Sequence, residues 1–503
     1  MTQPNILLIT SDQQHWFTLG IDNPEIHTPN LDRLAKSGMV FDRAYCPNPT
    51  CTPTRASLIT GQWPSQHGAY TLGTKLMEDH PTVNDTWHNL GYRTGLVGKA
   101  HFQPLESTDE FTSLEAYPLL QDLDFWRDFD GSFYGFDDLE ICRNHTDEAH
   151  VGQHYAIWME EKGFTEWREH FRKPTGTRDP QLHTWSIPEE YHYNTWIAEK
   201  TNHYLSEYKA KDQPFFLWAS FFDPHPSYLV PEPWDKMYDP ADLTLPQGQH
   251  GEEETGSPFF KLARTAGSKR DDFGISKPQK TIHGLMNHNP YPVKLSKNMA
   301  IYYGMISCMD KYIGKILDHL DTLGLTENTL IAFTSDHGHF YGHHGLVAKG
   351  PFHFEDGVKV PLIVSWPGNV PAGTRSDAIQ SLVDLPTTFI TATGADIPHH
   401  MTGLNQLPSW AEPDTHVRHH TLVENNHEPG IAEMKTYINR RYKITLYVGF
   451  DHGDLFDLEK DPGEFKNLWY DPNHAELKAR LLQEFLQAEM LKEVRPMPRI
   501  THA

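Results

Sequence analysis

Apolar runs that break abruptly into polar turns recur along the chain. Ile6-Leu7-Leu8-Ile9 leads into Ser11-Asp12-Gln13-Gln14, and Gly95-Leu96-Val97 into Gly98-Lys99-Ala100-His101. Phe215-Phe216-Leu217-Trp218 precedes Phe222-Asp223-Pro224-His225, Leu330-Ile331-Ala332-Phe333 precedes Ser335-Asp336-His337-Gly338, and Pro361-Leu362-Ile363-Val364 precedes Trp366-Pro367-Gly368. Uninterrupted apolar runs of this length suit strands covered on both faces, as in a parallel sheet. Thr28-Pro29 predicts a helix with Thr28 as N-cap, proline at its first position, Leu31 and Leu34 on one face and Gly38 as its stop. Strand followed by helix reads as the start of a βαβ unit. The strongest helix is predicted over 297–323, where Tyr302, Met305, Ile306, Met309, Ile313, Ile316, Leu317 and Leu320 recur at spacings of three and four. Open parallel sheets bind ligands beyond the carboxyl ends of their strands. Asp12, Lys99, His101, His225, Asp336 and His337 are therefore predicted to gather at one end of the sheet.

After Gly394 the pattern changes. Residues 437–446 and 453–458 read as antiparallel strands and 475–491 as a closing helix. The predicted architecture is α/β. A large mixed, mostly parallel sheet sandwiched by helices spans residues 1–395, and a smaller C-terminal α+β subdomain on an antiparallel sheet spans 396–503. Two insertions interrupt the first part. The aromatic, acidic stretch 103–209 reads as insertions over the sheet edge. The stretch near 247–290, rich in glycine, proline and charge over 247–280, reads as a lid or as structure of its own.

Composition narrows the function. The 503 residues are 38% hydrophobic, enough for a large core, so disorder is excluded for most of the chain. Lys plus Arg total 43 against 67 Asp plus Glu, a formal charge of −24 that opposes polyphosphates and anionic membranes and argues against nucleic acid or a membrane as partner. Mean hydropathy is −0.59 and no run reaches the ~18 residues of a membrane span. The early run 6–9 is too short for an export signal. The chain thus reads as cytoplasmic, or as periplasmic or secreted where a signal has been removed. Four cysteines (Cys46, Cys51, Cys142, Cys308) exclude a disulfide scaffold and show no CxxC metal spacing.

The chemistry centres on Cys51-Thr52-Pro53-Thr54-Arg55-Ala56-Ser57-Leu58-Ile59-Thr60-Gly61. A cysteine at a helix N-terminus with an arginine one turn later makes a pocket for an anion and lowers a thiol pKa. The spacing alone fits equally well a buried structural cysteine beside a surface arginine.

Cys-x-Pro-x-Arg at 51–55 and Ser-Leu-x-Thr-Gly at 57–61 are accompanied by the opening strand with Asp12 and by Gly-Lys-x-His at 98–101. Asp-Pro-His-Pro at 223–226, Ser-Asp-His-Gly at 335–338, Lys349-Gly350 and Leu-Phe-Asp-Leu-x-x-Asp-Pro-x-Glu at 455–464 follow. In this order, over nearly the whole chain, they resemble the type I, formylglycine-dependent sulfatases of the alkaline-phosphatase-like superfamily. The resemblance implies that fold, hydrolysis of a sulfate monoester, and a maturation enzyme that oxidises Cys51 to formylglycine. A hydrated aldehyde carries two hydroxyls on one carbon. One attacks sulfur; deprotonating the other re-forms the carbonyl and expels sulfate, which a serine or cysteine cannot do.

The resemblance also implies one divalent cation, Ca²⁺, held by Asp12, Asp336 and His337 with residue 51. Gln13 stands where the family commonly has a second Asp; its amide oxygen can still ligate, with one negative charge fewer. A histidine beside Ca²⁺ is atypical of a hard ion, so substrate contact is the other reading of His337. By the same resemblance Arg55 orients the hydrated aldehyde, Lys99 and Lys349 bind sulfate oxygens, His101 helps to activate or deprotonate residue 51, and His225 is the general acid for the leaving oxygen. His339, His343, His344 and His353 read as rim or substrate contacts ahead of a second metal site, for which their spacing lacks Cys or carboxylate partners. Trp16, Trp63, His67 and Tyr70 read as core packing, with stacking on a sugar or aryl ring as their other use.

The leading substrate class is a sulfated carbohydrate, because the aromatic insertions can shape a sugar cleft. The alternatives are a phosphonate or phosphate ester hydrolase on the same scaffold, and an aryl- or choline-type small-molecule sulfatase. A binding protein on a dead sulfatase fold ranks last, since Cys51, Arg55, Asp12 and Asp336 are all present. Oligomeric state is open.

Overall fold

A computed structural model describes residues 3–144, 146, 150–172, 182–246, 256–264, 292–493 and 501. In chain order the elements that build the site are β1 (Asn5–Ser11), α1 (Pro29–Ser37), β2 (Met39–Phe41), α2 (Cys51–Thr60), β3 (Arg93–Gly98), β4 (Asp138–Ile141), α3 (Tyr193–Ala210), β5 (Phe215–Ser220), α4 (Pro292–Thr322), β6 (Thr329–Ser335), β7 (Leu362–Ser365) and β8 (Thr374–Ser376). The eight strands form one sheet in the order β8-β2-β7-β6-β1-β5-β3-β4. From β6 to β4 every pairing is parallel. β7 runs antiparallel to both of its neighbours, so the sheet is mixed and mostly parallel, as predicted.

Side chains alternate across the strands and feed two cores. Leu7, Ile9, Leu217, Ala219, Ile331 and Phe333 pack with α1, α3 and α4. Ile6, Leu8, Phe216, Trp218, Leu330 and Ala332 pack with Ala56, Leu58 and Ile59 of α2. Each large apolar side chain buried this way contributes about 1.5–3 kcal/mol. The register then sets the active end. Ser11 lies beside Ser335, Thr10 beside Ser220, and Gly98 beside both Ser220 and Ile141. Residues just past those positions share one edge of the sheet.

A second, four-stranded antiparallel sheet follows, formed in chain order by β9 (His420–Glu428), β10 (Ala432–Asn439), β11 (Tyr442–Tyr447) and β12 (Gly453–Asp457), with α5 (Ala475–Leu491) packed on it. The predicted strand 437–446 is thus two strands broken at Arg440-Arg441. The stretch 103–209 is not peripheral to the sheet. It supplies β4, the edge strand itself, and α3, which packs on β3 and β5. Aromatic density hid the short strand.

Thr28 holds the N-cap position of α1 without capping it: its hydroxyl donates to Asp32 (2.9 Å) and accepts from Gly20 N. The free amides of Asn30 and Leu31 donate instead to the Asp310 carboxylate on α4. The predicted lid at 247–280 lies outside the described residues apart from 256–264, which include a short helix, Pro258–Arg264. Among the described residues no helix is long and apolar enough to cross a membrane.

Candidate active site

Cys51 opens α2 and is buried beneath the carboxyl ends of β1 and β6. Asp12 follows β1, and Asp336 and His337 follow β6; all three are fully buried. Asp12, Cys51, Asp336 and His337 offer ligand atoms that lie within 4.8 Å of one another. Gln13, in the left-handed region at φ 63°, donates its backbone N–H to Asp336 Oδ1 (3.0 Å). Its side-chain oxygen and nitrogen are buried without a partner among the described residues.

Two glycines allow the close approach. A Cβ on Gly98 (φ +108°) would sit 1.9 Å from the Ser220 carbonyl oxygen, and one on Gly338 would sit 2.1 Å from the Asp356 carbonyl oxygen. Only glycine lets β3 and the 336–338 turn pass so near their neighbours.

Two ammonium groups and an imidazole surround the thiol. Lys349 Nζ is 3.1 Å from Cys51 Sγ, His337 Nε2 3.2 Å and Lys99 Nζ 3.8 Å. Lys99 also pairs with Asp12 Oδ2. Lys349 reaches His337 Nε2 and His225 Nε2, both at 3.3 Å, and His225 is half-buried at the mouth. Arg55 donates Nε to Asp336 Oδ2 (2.8 Å) and Nη1 to the Lys99 carbonyl (2.8 Å) and to Ser220 Oγ (2.7 Å), while its Nη2 has no partner among the described residues.

The electrostatics follow. Burial and Asp12 push the Cys51 thiol up, yet Lys349, Lys99 and His337 outweigh them and bring it down to about 7. Burial opposes ionisation of Asp12, but Lys99, His225, Arg55 and Lys349 hold it well below the usual carboxylate range. Burial works against the charge on Lys349, and Cys51 and Asp12 more than restore it.

The donor set fits a divalent cation. It combines two carboxylates, one imidazole and an unpaired amide oxygen at Gln13. His337 Nδ1 faces the Gly338 carbonyl (2.9 Å), which can only accept, so Nδ1 carries the proton and Nε2 presents its lone pair. A second group, His15, His343 and Asp356, also clusters. There His15 Nδ1 accepts from Phe17 N (3.1 Å), so Nε2 carries the proton and donates to Asp356 Oδ1 (2.8 Å). The nitrogen that faces the group therefore carries a proton and offers no lone pair there.

Seven sequence-predicted residues thus meet around Cys51: Asp12, Gln13, Arg55, Lys99, Asp336, His337 and Lys349, with His225 against Lys349. His101 lies next to them without contacting Sγ. Its backbone N–H donates to Glu115 Oε1 (2.8 Å), and its ring is buried with Nδ1 unpartnered among the described residues. Burial, then Arg143, Lys99 and Arg55, hold it well below its ordinary pKa. The expected rim histidines are mostly structural. His339 contacts Tyr228 Oη (2.7 Å), His353 contacts Thr436 Oγ1 (2.6 Å), and His344 stacks on Phe354, all three buried. Trp63 is core, and His67 contacts Ser57 Oγ (3.1 Å).

Sequence reasoning missed Ser220, Glu115 and Arg143. Ser220 is the polar end of an apolar run and Arg143 follows Leu139-Glu140-Ile141, the same strand-end signal used for Asp12. Glu115 has no local signal.

Residues 4–395 match the family model Sulfatase, and 342–491 match that of the N-sulphoglucosamine sulphohydrolase C-terminal region. The arylsulfatase of Clostridium perfringens (strain 13 / Type A) is 27% identical over 500 residues, covering 98% of this chain and 94% of the relative. The N-acetylglucosamine-6-O-sulfatase of Bacteroides thetaiotaomicron is 23% identical over 498 residues, 96% of this chain and 85% of that one. In fold, the phosphonate monoester hydrolase of Silicibacter pomeroyi overlays with a TM-score of 0.81 at 23% identity, covering 99% of this chain and 98% of that one. With the family model spanning most of the chain and the signature cysteine seated among cations and carboxylates, the chain belongs to the sulfatase family of the alkaline-phosphatase-like superfamily and is a sulfuric ester hydrolase.

Proposed function

We propose that the chain hydrolyses sulfate monoesters of carbohydrates, with residue 51 acting as formylglycine and a divalent cation, Ca²⁺, held by Asp12, Gln13, Asp336 and His337. The supporting observation is Cys51 Sγ lying between the Lys349 and Lys99 ammonium groups, against the Asp12, Asp336 and His337 donor set. When bound, the cation supplies positive charge that favours a deprotonated hydroxyl and sulfuryl oxygens. Oxidised to formylglycine by a maturation enzyme, residue 51 supplies a geminal diol.

The chain's own groups do the rest. Lys99 and Lys349, both buried, hold the anionic sulfuryl oxygens, and away from bulk water such fixed charges act strongly. Arg55, locked by Asp336, the Lys99 carbonyl and Ser220, keeps one guanidinium nitrogen for the oxygens of residue 51. His101, kept neutral, accepts a proton. His225 at the mouth gives one to the leaving alcohol oxygen, which departs poorly as an alkoxide. In this reading residues 1–395 carry the chemistry and 396–503 form the C-terminal subdomain. A carbohydrate substrate is supported by the relative described as an N-acetylglucosamine-6-O-sulfatase. A phosphonate monoester is the second reading: like a sulfate monoester it carries one negative charge, so the paired lysines accept either.

The test begins with mass spectrometry of residue 51. Turnover of 4-nitrophenyl sulfate and of an aryl phosphonate is then compared, followed by a panel of defined sulfated mono- and disaccharides. A faster sulfate reaction, lost on chelation, is expected. Active enzyme carrying only unmodified Cys51, or indifferent to chelator, would sink the reading.

A further inference from the structure

The edge strand β4 ends at Ile141, level with Gly98. Arg143, two residues on, therefore arrives at the same end of the sheet as Lys99 and His101. The residue is only 7% exposed. Among the described residues it makes no hydrogen bond, and its Nε is without a partner. Its ion-pair contact is Glu115 Oε1 at 4.0 Å, beyond hydrogen-bond reach. That carboxylate is already engaged: Oε1 accepts from His101 N (2.8 Å), and Oε2 accepts from Phe102 N (2.8 Å) and Gln103 N (2.7 Å).

A guanidinium carries five donors in a fixed fork. Burying one with its donors unused is unfavourable unless something else takes them. The charges of Cys51, Asp12 and Arg55 all act on Arg143. No hydrogen bond or ion pair among the described residues ties it to Cys51 Sγ, where Lys349 and Lys99 lie 3.1 and 3.8 Å away.

We propose that Arg143 determines specificity by binding, through its fork, a second anionic oxygen group, sulfate or carboxylate, on the organic part of the sulfate ester. This rests on the sulfatase reading above and adds a substrate class to it: esters bearing two anionic groups. Glu115 holds the 101–103 backbone and keeps Arg143 charged and in place.

The test compares wild type with Arg143→Gln on glucosamine 6-O-sulfate, glucosamine 2-N,6-O-disulfate, a uronate 2-O-sulfate, and 4-nitrophenyl sulfate. For esters with a second anion, kcat/KM falls about 10- to 100-fold, carried by KM, as loss of a charged hydrogen-bond pair predicts. Glucosamine 6-O-sulfate and 4-nitrophenyl sulfate, which carry no second anion, change less than about threefold. Whether the disulfate or the uronate arm responds tells sulfate from carboxylate recognition. An equal fall on all four, or no fall on any, overturns the proposal.

If wild type turns over none of the sulfate esters, the sulfatase reading fails separately. Calorimetric binding of glucosamine 2-N,6-O-disulfate and of the uronate 2-O-sulfate to wild type and Arg143→Gln then decides Arg143. Tighter binding of either by wild type supports it, and equal affinity for both overturns it. Should Arg143→Gln fail to fold, Arg143→Lys, which keeps the charge opposite Glu115 but not the fork, is read by the same ratios.

Discussion

Arg418 and Arg143 are both buried arginines facing a buried carboxylate, and the fold uses them in opposite ways. At the junction of the two sheets, Arg418 grips Asp384 with both ends of its fork: Nε to Oδ2 at 2.8 Å and Nη2 to Oδ1 at 2.5 Å. Asp384 also accepts from Leu404 N and Gln406 Nε2, both at 2.8 Å, and the guanidinium lies over Trp63. Nearly every lone pair and donor there has a partner within the chain. At the mouth of the large sheet, Arg143 touches Glu115 at one oxygen, 4.0 Å away, and makes no hydrogen bond among the described residues. Buried charge alone therefore does not mark a site. What separates scaffold from site is whether the polar atoms are saturated from within.

The catalytic cluster lies between these extremes, and breaking it has the largest expected effect. Cys51→Ala should lower kcat on 4-nitrophenyl sulfate by more than about 10⁴-fold while circular dichroism and melting stay near wild type. Retained turnover would remove residue 51 from the chemistry. At the saturated junction the effect is on stability. Arg418→Leu leaves Asp384 buried and unpaired, and urea unfolding should show a loss of about 3–5 kcal/mol, with KM of the folded fraction unchanged. A shift in KM without loss of stability would erase the contrast with Arg143.

His225→Asn should reduce kcat about 100-fold for an alkyl or sugar sulfate. It should matter much less for 4-nitrophenyl sulfate, whose leaving oxygen needs no proton; equal losses would deny His225 the role of acid.

The smallest effect is a pH dependence near the junction. Burial, then Lys443 and His427, lower His353 from 6.5 to about 3. As pH falls from 6.5 towards 3, the unfolded chain takes up a proton that the folded one refuses, so stability falls with pH in that window and is unaffected above it. The urea midpoint should thus drop less between pH 7 and pH 5 in His353→Gln than in wild type. Parallel curves would mean that the ring is not held neutral.

The same division governs what could be read in advance. Asp12, Lys99, His225, Asp336 and His337 were legible because each follows an apolar strand, and parallel strands deliver their next residues to one edge. Cys51 and Arg55 were legible from their one-turn spacing and the signature around them. Arg143 carries the same strand-end signal, but its strand is short and lies in an aromatic stretch without periodicity. Glu115 was illegible, because its partners are backbone N–H groups of residues 101–103, brought to it by loop closure. His339, His344 and His353 misled for a related reason. A histidine's position in a loop does not reveal whether its ring finds a hydrogen-bond partner inside.

By itself the sequence determined the parallel sheet, the end of that sheet where chemistry collects, and the family through its signature. These follow from local patterns of apolar runs, turns and one helical turn. Only the tertiary structure decided which charges are paired and which are left open, that His101 stands off from the thiol, and that His337 presents a lone pair. Pairing depends on atoms as far apart in the chain as Arg55 and Asp336 meeting within a few ångströms, and the tautomer of His337 depends on how the backbone turns its ring onto the Gly338 carbonyl; residue types along the chain encode neither distance.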